Sequence, residues 1–339
     1  FLAHVAATAL GISAFASPAG EPLAPAGTIV EFIGTCDASA AVVRDGGRFI
    51  VGDDEDNVLR MYDARNGGVP LATWDLSDAL ALVGKKKAPE IDIEAATEIG
   101  GVSLWLASHG RDSKGRLQPS RLMLIGTRAS EDGSLVLVGR PYRRLVDDLI
   151  ANPALARLGL AAAAKRAPKE PGGLNIEGMT ALADGRSVLI GFRNPVPGGR
   201  ALAITLQNPL DVLAGAAPRL GEPLDLDLAG LGVRAISWWR GAYLFLAGAQ
   251  GGGGSSRLFT WSGAPTDRPR AQPVDFHGLN PEAFVTFEDL DAFLVLSDDG
   301  SRLVDGVACK KLKDPTRKRF RGMWIRQAPA RTNSPMTPP

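Results

Sequence analysis

A phrase that returns along the chain constrains this sequence more than any other feature. Asp92-Ile93-Glu94-Ala95-Ala96-Thr97 opens one unit, Asn175-Ile176-Glu177-Gly178-Met179-Thr180 a second and Asn280-Pro281-Glu282-Ala283-Phe284-Val285 a third. Each is followed by a turn and an apolar run with a small or polar end: Leu104 to His109, Val188 to Arg193 and Phe293 to Asp298. Strand, hairpin and strand is the reading, because short β-rich runs are punctuated by turn residues. Two looser copies begin at Asp37 and Val233. Third strands are expected at Val58 to Tyr62, Arg121 to Ile125, Ala201 to Thr205 and Arg257 to Trp261, with a weaker fourth at Leu135 to Val138.

Four strands per unit is the pattern of a propeller blade, so the fold class is all-β: one β-propeller of about five four-stranded blades, with six as the alternative count. It is expected to span residues 28–326. The starts near 37, 92, 175, 233 and 280 are unevenly spaced, and the longest gap holds Arg143 to Lys169. Leu145, Leu149, Leu155, Leu158 and the alanines 161–164 there suggest one or two helices projecting from the ring. The segment Gly251 to Gly254 reads as a hairpin tip. A strand at Thr28 to Ile33 and another at Phe320 to Ile325 come from opposite ends of the chain, and pairing them would close the ring and remove two exposed sheet edges. An α/β arrangement would need long amphipathic helices between strands, and only the one insertion offers any.

Composition agrees. Gly 40 and Pro 24 suit many tight turns, and 45% hydrophobic residues suffice for a core. The formal net charge of +1 gives no global basis for nucleic-acid binding. Residues 1–16 are apolar and end in Ala14-Phe15-Ala16, the pattern of a truncated signal peptide, which predicts a periplasmic or secreted protein with no membrane span in its mature form. Gln327 to Pro339 reads as a disordered tail. The two cysteines, Cys36 and Cys309, fall in regions that a closed ring makes neighbours. A disulfide and two unpaired thiols are both open readings.

Inner strands line the channel of a propeller, so the repeat sets Ser39, Glu94, Glu177, Arg234 and Glu282 at one level around the axis. Carboxylates that share a low-dielectric channel raise one another's pKa unless a cation or an arginine neutralises them. Glu94, Glu177 and Glu282 are therefore candidate ligands of Ca²⁺, and the alternative is that they tie neighbouring blades together. A second level lies at the ends of the second strands: Asp54, His109, Arg193 and Asp298. Asp53 and Asp54 lie in a dense acidic run and join Asp298 as metal candidates. His109 is a candidate acid or base, and Arg111 and Arg193 are candidate grips for an anion. Solvated turns account for the same residues without chemistry. Motifs for a phosphate loop, dinucleotide fold, nucleophile elbow or zinc site are absent from the sequence.

On the phrases Asp92 to Thr97 with Leu104 to Arg111, and Asn175 to Thr180 with Gly191 to Pro195, the chain resembles a bacterial family of unknown function numbered 3616, over roughly Thr28 to Arg326. It is more distantly similar to esterase-like and phytase-like propellers, through Glu94-Ala95, Glu177-Gly178 and Glu282-Ala283. The resemblance implies a propeller. Phytase-like relatives would add calcium-dependent hydrolysis of phosphate esters at acidic clusters, but Ser39 and Arg234 stand where that pattern has Glu. The function expected is an extracytoplasmic binding or scaffold module, a monomer with a cation-binding channel that meets a small molecule, glycan or protein at its mouth. The alternative is a calcium-dependent hydrolase of phosphate or carboxylic esters.

Overall fold

The computed structural model describes residues 22–84 and 87–327; the expected signal segment and residues 328–339 of the expected tail lie outside them. Five four-stranded antiparallel sheets form a ring. Blade 1 runs Ala38–Arg44, Arg48–Asp53, Val58–Asp63 and Ala72–Asp75, and blade 2 runs Ile93–Ile99, Val102–Ala107, Leu124–Ala129 and Leu135–Leu137. Blade 3 is Asn175–Ala181, Val188–Asn194, Ala201–Leu206 and Leu220–Leu226, and blade 4 is Gly232–Trp239, Ala242–Gly248, Arg257–Trp261 and Arg270–Ala271. Blade 5 joins Pro281–Thr286 and Ala292–Ser297 to the C-terminal Arg319–Gln327, with the N-terminal Leu23–Ile33 as its outer strand.

The closure is therefore made by the two ends of the chain. Ile33 pairs with Arg319, Phe32 with Phe320 and Leu23 with Gln327, which places Gln327 in a strand and not in a tail. Each terminal strand satisfies the other's backbone groups, which would otherwise form open edges. Cys36 and Cys309 are joined as a disulfide, 273 residues apart in sequence, and both are fully buried beside Leu312. Cys309 reaches this position on a small hairpin, Leu303–Val304 with Val307–Ala308, inserted into blade 5.

Among the described residues the apolar core is divided into five large clusters, one at each interface between consecutive blades, and a small sixth around the disulfide. Strand alternation does this: on the inner strand of blade 1, Ala40 and Val42 face blade 2 while Ala41 and Val43 face blade 5. Side-chain hydroxyls add links across the same interfaces. Thr97 Oγ1 accepts from Ala181 N at 2.9 Å, Thr180 Oγ1 from Trp238 N at 3.2 Å, and Ser237 Oγ meets Thr286 Oγ1 at 2.8 Å.

Two more expectations need correction. The third strand of blade 2 starts at Leu124, because Pro119–Arg121 forms a 3-10 turn that cannot continue a ladder. The insertion does form a helix, Leu145–Ala151, a 3-10 segment, Pro153–Leu158, and a single turn, Leu160–Ala163, but it does not project. Its leucines 145, 149, 155, 158 and 160 are buried in the cluster between blades 2 and 3, so the helices thicken that interface.

Candidate cation site and channel ring

All five inner strands carry a β-bulge at the same place. The ladder slips between Ala38 and Ala40, Ile93 and Ala95, Ile176 and Gly178, Val233 and Ala235, and Pro281 and Ala283. The extra residue in each case is Ser39, Glu94, Glu177, Arg234 or Glu282. A bulge leaves one residue unpaired and sharpens the twist, which re-aims its side chain. Here it delivers the five residues of the expected ring to the interior: Ser39, Glu177, Arg234 and Glu282 are buried and Glu94 is half-buried.

Their charges are met unequally. Glu177 Oε1 accepts from Arg193 Nη1 at 2.6 Å and from Asn175 Nδ2 at 2.6 Å. Glu282 is in contact with Arg234, which also donates from Nη1 to Asn280 Oδ1 at 2.6 Å. Two of the three ring glutamates thus face arginines across short gaps. Buried ion pairs of this kind hold because each partner would be costly alone.

Among the described residues no arginine makes such a contact with Glu94. It lies with Asp54 and Asp92 in a group whose carboxylate oxygens all fall within 4.8 Å of one another. Asp54 follows the second strand of blade 1, and Asp92 precedes the inner strand of blade 2 in a left-handed turn (φ 63°). Asp92 is fixed by Arg121 Nη1 at 2.8 Å and by the hydroxyl of Ser108, while Asp54 Oδ1 is buried without a hydrogen-bond partner. Burial, and then repulsion from Glu94, drives the Asp54 carboxyl well above its ordinary range; burial, and then Glu177 and Asp92, do the same to Glu94. Asp92 is pushed up by burial to about 6, against the pull of Arg121. Three oxygen donors at this spacing, two of them unable to ionise cheaply by themselves, form a chemically suitable set for a hard divalent cation.

The other candidate residues fall elsewhere. Asp53 Oδ1 accepts from the backbone of Glu55 at 2.7 Å and Asp56 at 3.2 Å, and its second oxygen meets Thr35, so it organises the turn; burial raises it to about 7. Asp298 caps Gly300 N at 2.8 Å and accepts from Asn280 Nδ2 at 3.0 Å. Asp37 lies next to it, pushed up to about 9 by burial and then by Asp298. His109 is buried with φ 55°; its Nδ1 lies 2.8 Å from Ala107 O and its Nε2 has no hydrogen-bond partner. Burial lowers its pKa to about 4. Arg111 binds Ala164 O at 2.8 Å and Gly115 O at 3.0 Å and so anchors the helical insertion, while Arg193 adds Ala249 O at 3.0 Å to its pairing with Glu177.

Asp92 was missed as a ligand candidate, although a clue was present. Two residues before each bulge stand Asp37, Asp92, Asn175, Gly232 and Asn280. The acids at this level belong to blades 1 and 2, and the neutral residues to blades 3, 4 and 5, whose ring glutamates Glu177 and Glu282 are the ones that meet arginines. Negative charge is thereby gathered on one side of the ring.

From the ring a cavity of about 1170 Å³ continues toward the hairpin turns of the inner strands, with Ser39, Glu94, Glu177 and Glu282 at its deep end. Its walls are kept wide by small side chains such as Ala41, Ala96, Ala181 and Ala235, and Trp238, Phe287 and Trp324 stand along it.

Residues 138–288 match the model of a family described as a protein of unknown function, DUF3616. That segment runs from the end of blade 2 past the inner strand of blade 5, so the match covers part of the span over which the resemblance was read. No curated protein matches the sequence. Among solved structures the chain is similar to the PQQ-bound aldose sugar dehydrogenase of Streptomyces coelicolor, at 10% identity and TM-score 0.46 over 91% of this chain and 100% of that one. It is likewise similar to the glutaminyl cyclase of Myxococcus xanthus, at 10% identity and TM-score 0.47 over 91% and 100%. For a Staphylococcus aureus virginiamycin B lyase the values are 9% and 0.38, over 87% and 98%. Likeness at this level carries no argument about activity.

Proposed function

We propose that this five-bladed propeller is an extracytoplasmic binding module that holds a divalent cation, with calcium the best candidate, at Asp54, Asp92 and Glu94. The observation that carries the reading is the convergence of three carboxylates within 4.8 Å, without an arginine between Asp54 and Glu94 of the kind that neutralises Glu177 and Glu282. A hard cation with six to eight oxygen ligands fits such a set, with backbone carbonyls and water completing the shell. The buried disulfide supports an oxidising compartment, in line with the apolar leader-like residues 1–16. Among the described residues no helix is long and apolar enough to cross a membrane. The partner of such a module would be met through the channel, as a small molecule, a glycan or a protein.

Binding is favoured over ester hydrolysis by the state of the residues that hydrolysis would need. Arg193 is engaged with Glu177 and Arg111 with backbone carbonyls, and a histidine with a pKa near 4 is a weak base at neutral pH.

The test is thermal unfolding in EDTA and then in millimolar Ca²⁺, Mg²⁺ or Mn²⁺, since a ligand of the native state raises the midpoint, by about 2.7 kcal/mol of stability at 100 times Kd. The Ca²⁺ shift is expected to be the largest, to vanish in Asp92→Asn and Glu94→Gln, and to weaken on acidification, because the cation must displace protons from carboxyls whose pKa is raised. No response to any of the three ions would leave the cluster as protonated architecture and end the proposal.

A further inference from the structure

The walls of the channel cavity carry more negative charge than the fold answers. Glu98 is paired with Arg44 on the wall itself, and Glu177 and Glu282 are met by Arg193 and Arg234, which lie outside the lining. Asp45, Asp63, Glu94, Glu288 and Asp289 remain, and Arg65 is the one other cationic side chain among the described residues that line the cavity. Even with Glu94 set aside, four acids stand against one base. Asp45, Glu288 and Asp289 are exposed at the hairpin turns of the neighbouring blades 1 and 5, and the backbone N–H groups of Asn66 and Arg65, at 2.8 and 2.9 Å, hold the Asp63 carboxyl below its ordinary pKa. Such a mouth repels anions and gathers cations.

The aromatic wall is an independent sign of the same kind. Of the six tryptophans, Trp74, Trp105, Trp239 and Trp261 each donate the indole N–H to a protein oxygen. The two that line the cavity, Trp238 and Trp324, are half-buried and make no such bond among the described residues. No arginine lies over either ring; the arginines that do stack on aromatic side chains sit at Trp239 and Phe259. Indole faces beside unanswered carboxylates are the surroundings an organic ammonium prefers. The spacing narrows the class further. Glu94, at the deep end, offers oxygen acceptors with or without its proton. Asp45 stands six residues beyond Ser39 on its strand, and Glu288 six beyond Glu282, so the acidic mouth lies roughly 15–20 Å from the ring. Between them the wall is apolar, with Ala41, Ala96, Ala181 and Ala235 beside the two indoles. We propose that the channel cavity binds a linear polyamine: one ammonium group against Glu94, another among Asp45, Glu288 and Asp289, and the methylenes between them along the alanines and tryptophan rings. The inference names the small-molecule partner of the binding module and so rests on that reading, but it does not depend on the metal cation.

The experiment is calorimetric titration of the full chain, at low ionic strength and in EDTA, with cadaverine, spermidine and spermine, and with maltotriose as a neutral counter-probe. Spermine is expected to bind one to one and tightest of the three amines, since only the longer chains reach both acidic ends, and to weaken as salt is added. Replacing the exposed pair at the mouth, Glu288→Gln with Asp289→Asn, should weaken it about threefold to tenfold. Asp275→Asn with Asp305→Asn removes the same charge from two exposed acids that do not line the cavity, and should change nothing. Equal weakening by the two pairs would reduce the effect to general charge attraction and overturn the inference, as would maltotriose binding tighter than spermine or no binding of spermine at all. A thermal response to Ca²⁺ without spermine binding ends this inference and leaves the metal reading standing; spermine binding without that response does the reverse.

Discussion

Replacing both Cys36 and Cys309 by alanine should cost this protein more than any single change in its core. The bond closes a loop of 273 residues, nearly the whole propeller. In the chain-entropy model, the constraint it imposes on the unfolded ensemble grows with the logarithm of loop length, and for this loop comes to about 5–6 kcal/mol at 25 °C. Most of that lies in the unfolded state. The native closure survives without the bond, because Leu23–Ile33 and Arg319–Gln327 still pair and Phe32 still stacks on Phe320 with ring centroids 4.8 Å apart. The double variant should therefore keep the wild-type far-ultraviolet spectrum and unfold at much lower urea. Its m-value should be larger, since an unconstrained chain exposes more surface. Reducing the wild type with a phosphine should shift it to the same curve. A stability loss under about 1 kcal/mol with an unchanged m-value would refute the reasoning, for it would mean that the terminal strands hold the ends together even after the blades have melted.

Two other predictions concern single residues. His109 has a pKa of about 4 in the fold against roughly 6.5 unfolded, so the unfolded chain takes up the proton first: the stability tied to the neutral ring is complete above about pH 6.5 and is lost as pH falls toward 4, on the order of 3 kcal/mol in all. His109→Asn, which tolerates the positive φ, should remove that dependence, and parallel stability curves for wild type and variant across pH 4–7 would contradict it. Gly178→Ala should cost about 1–3 kcal/mol by chemical denaturation, because the new methyl would stand 2.7 Å from Val233 Cγ1 and 2.8 Å from Ile236 Cγ1 at the interface of blades 3 and 4; a variant as stable as wild type would show that this interface is loosely packed.

Gly178 also shows how the repeat should be read. The phrase offers Glu94-Ala95, Glu177-Gly178 and Glu282-Ala283, which look interchangeable in sequence. Only in the packed ring does the third blade turn out to have no room for a methyl. The same holds for the insertion: its leucine spacing announced helices, but nothing local says which surface they cover, and the projecting arrangement expected gave way to burial between blades 2 and 3. Arg111 and Arg193 were legible as cations near one end of the ring. That they are spent on Ala164, Gly115 and Glu177 depends on backbone brought close by other parts of the chain.

Strand periodicity, turn residues and a phrase repeated at blade intervals determined the fold class and the level at which Ser39, Glu94, Glu177, Arg234 and Glu282 meet, and narrowed the blade count to five or six. These are local properties, and every blade encodes them in its own residues. What the tertiary structure decided is the sharing out of charge: which carboxylates receive an arginine, and which, as Asp54, Asp92 and Glu94 do, are left to one another. That depends on distances of a few ångströms between residues far apart in sequence. The energy at stake varies steeply with distance and burial, so neither the residue types nor their spacing along the chain could have settled it.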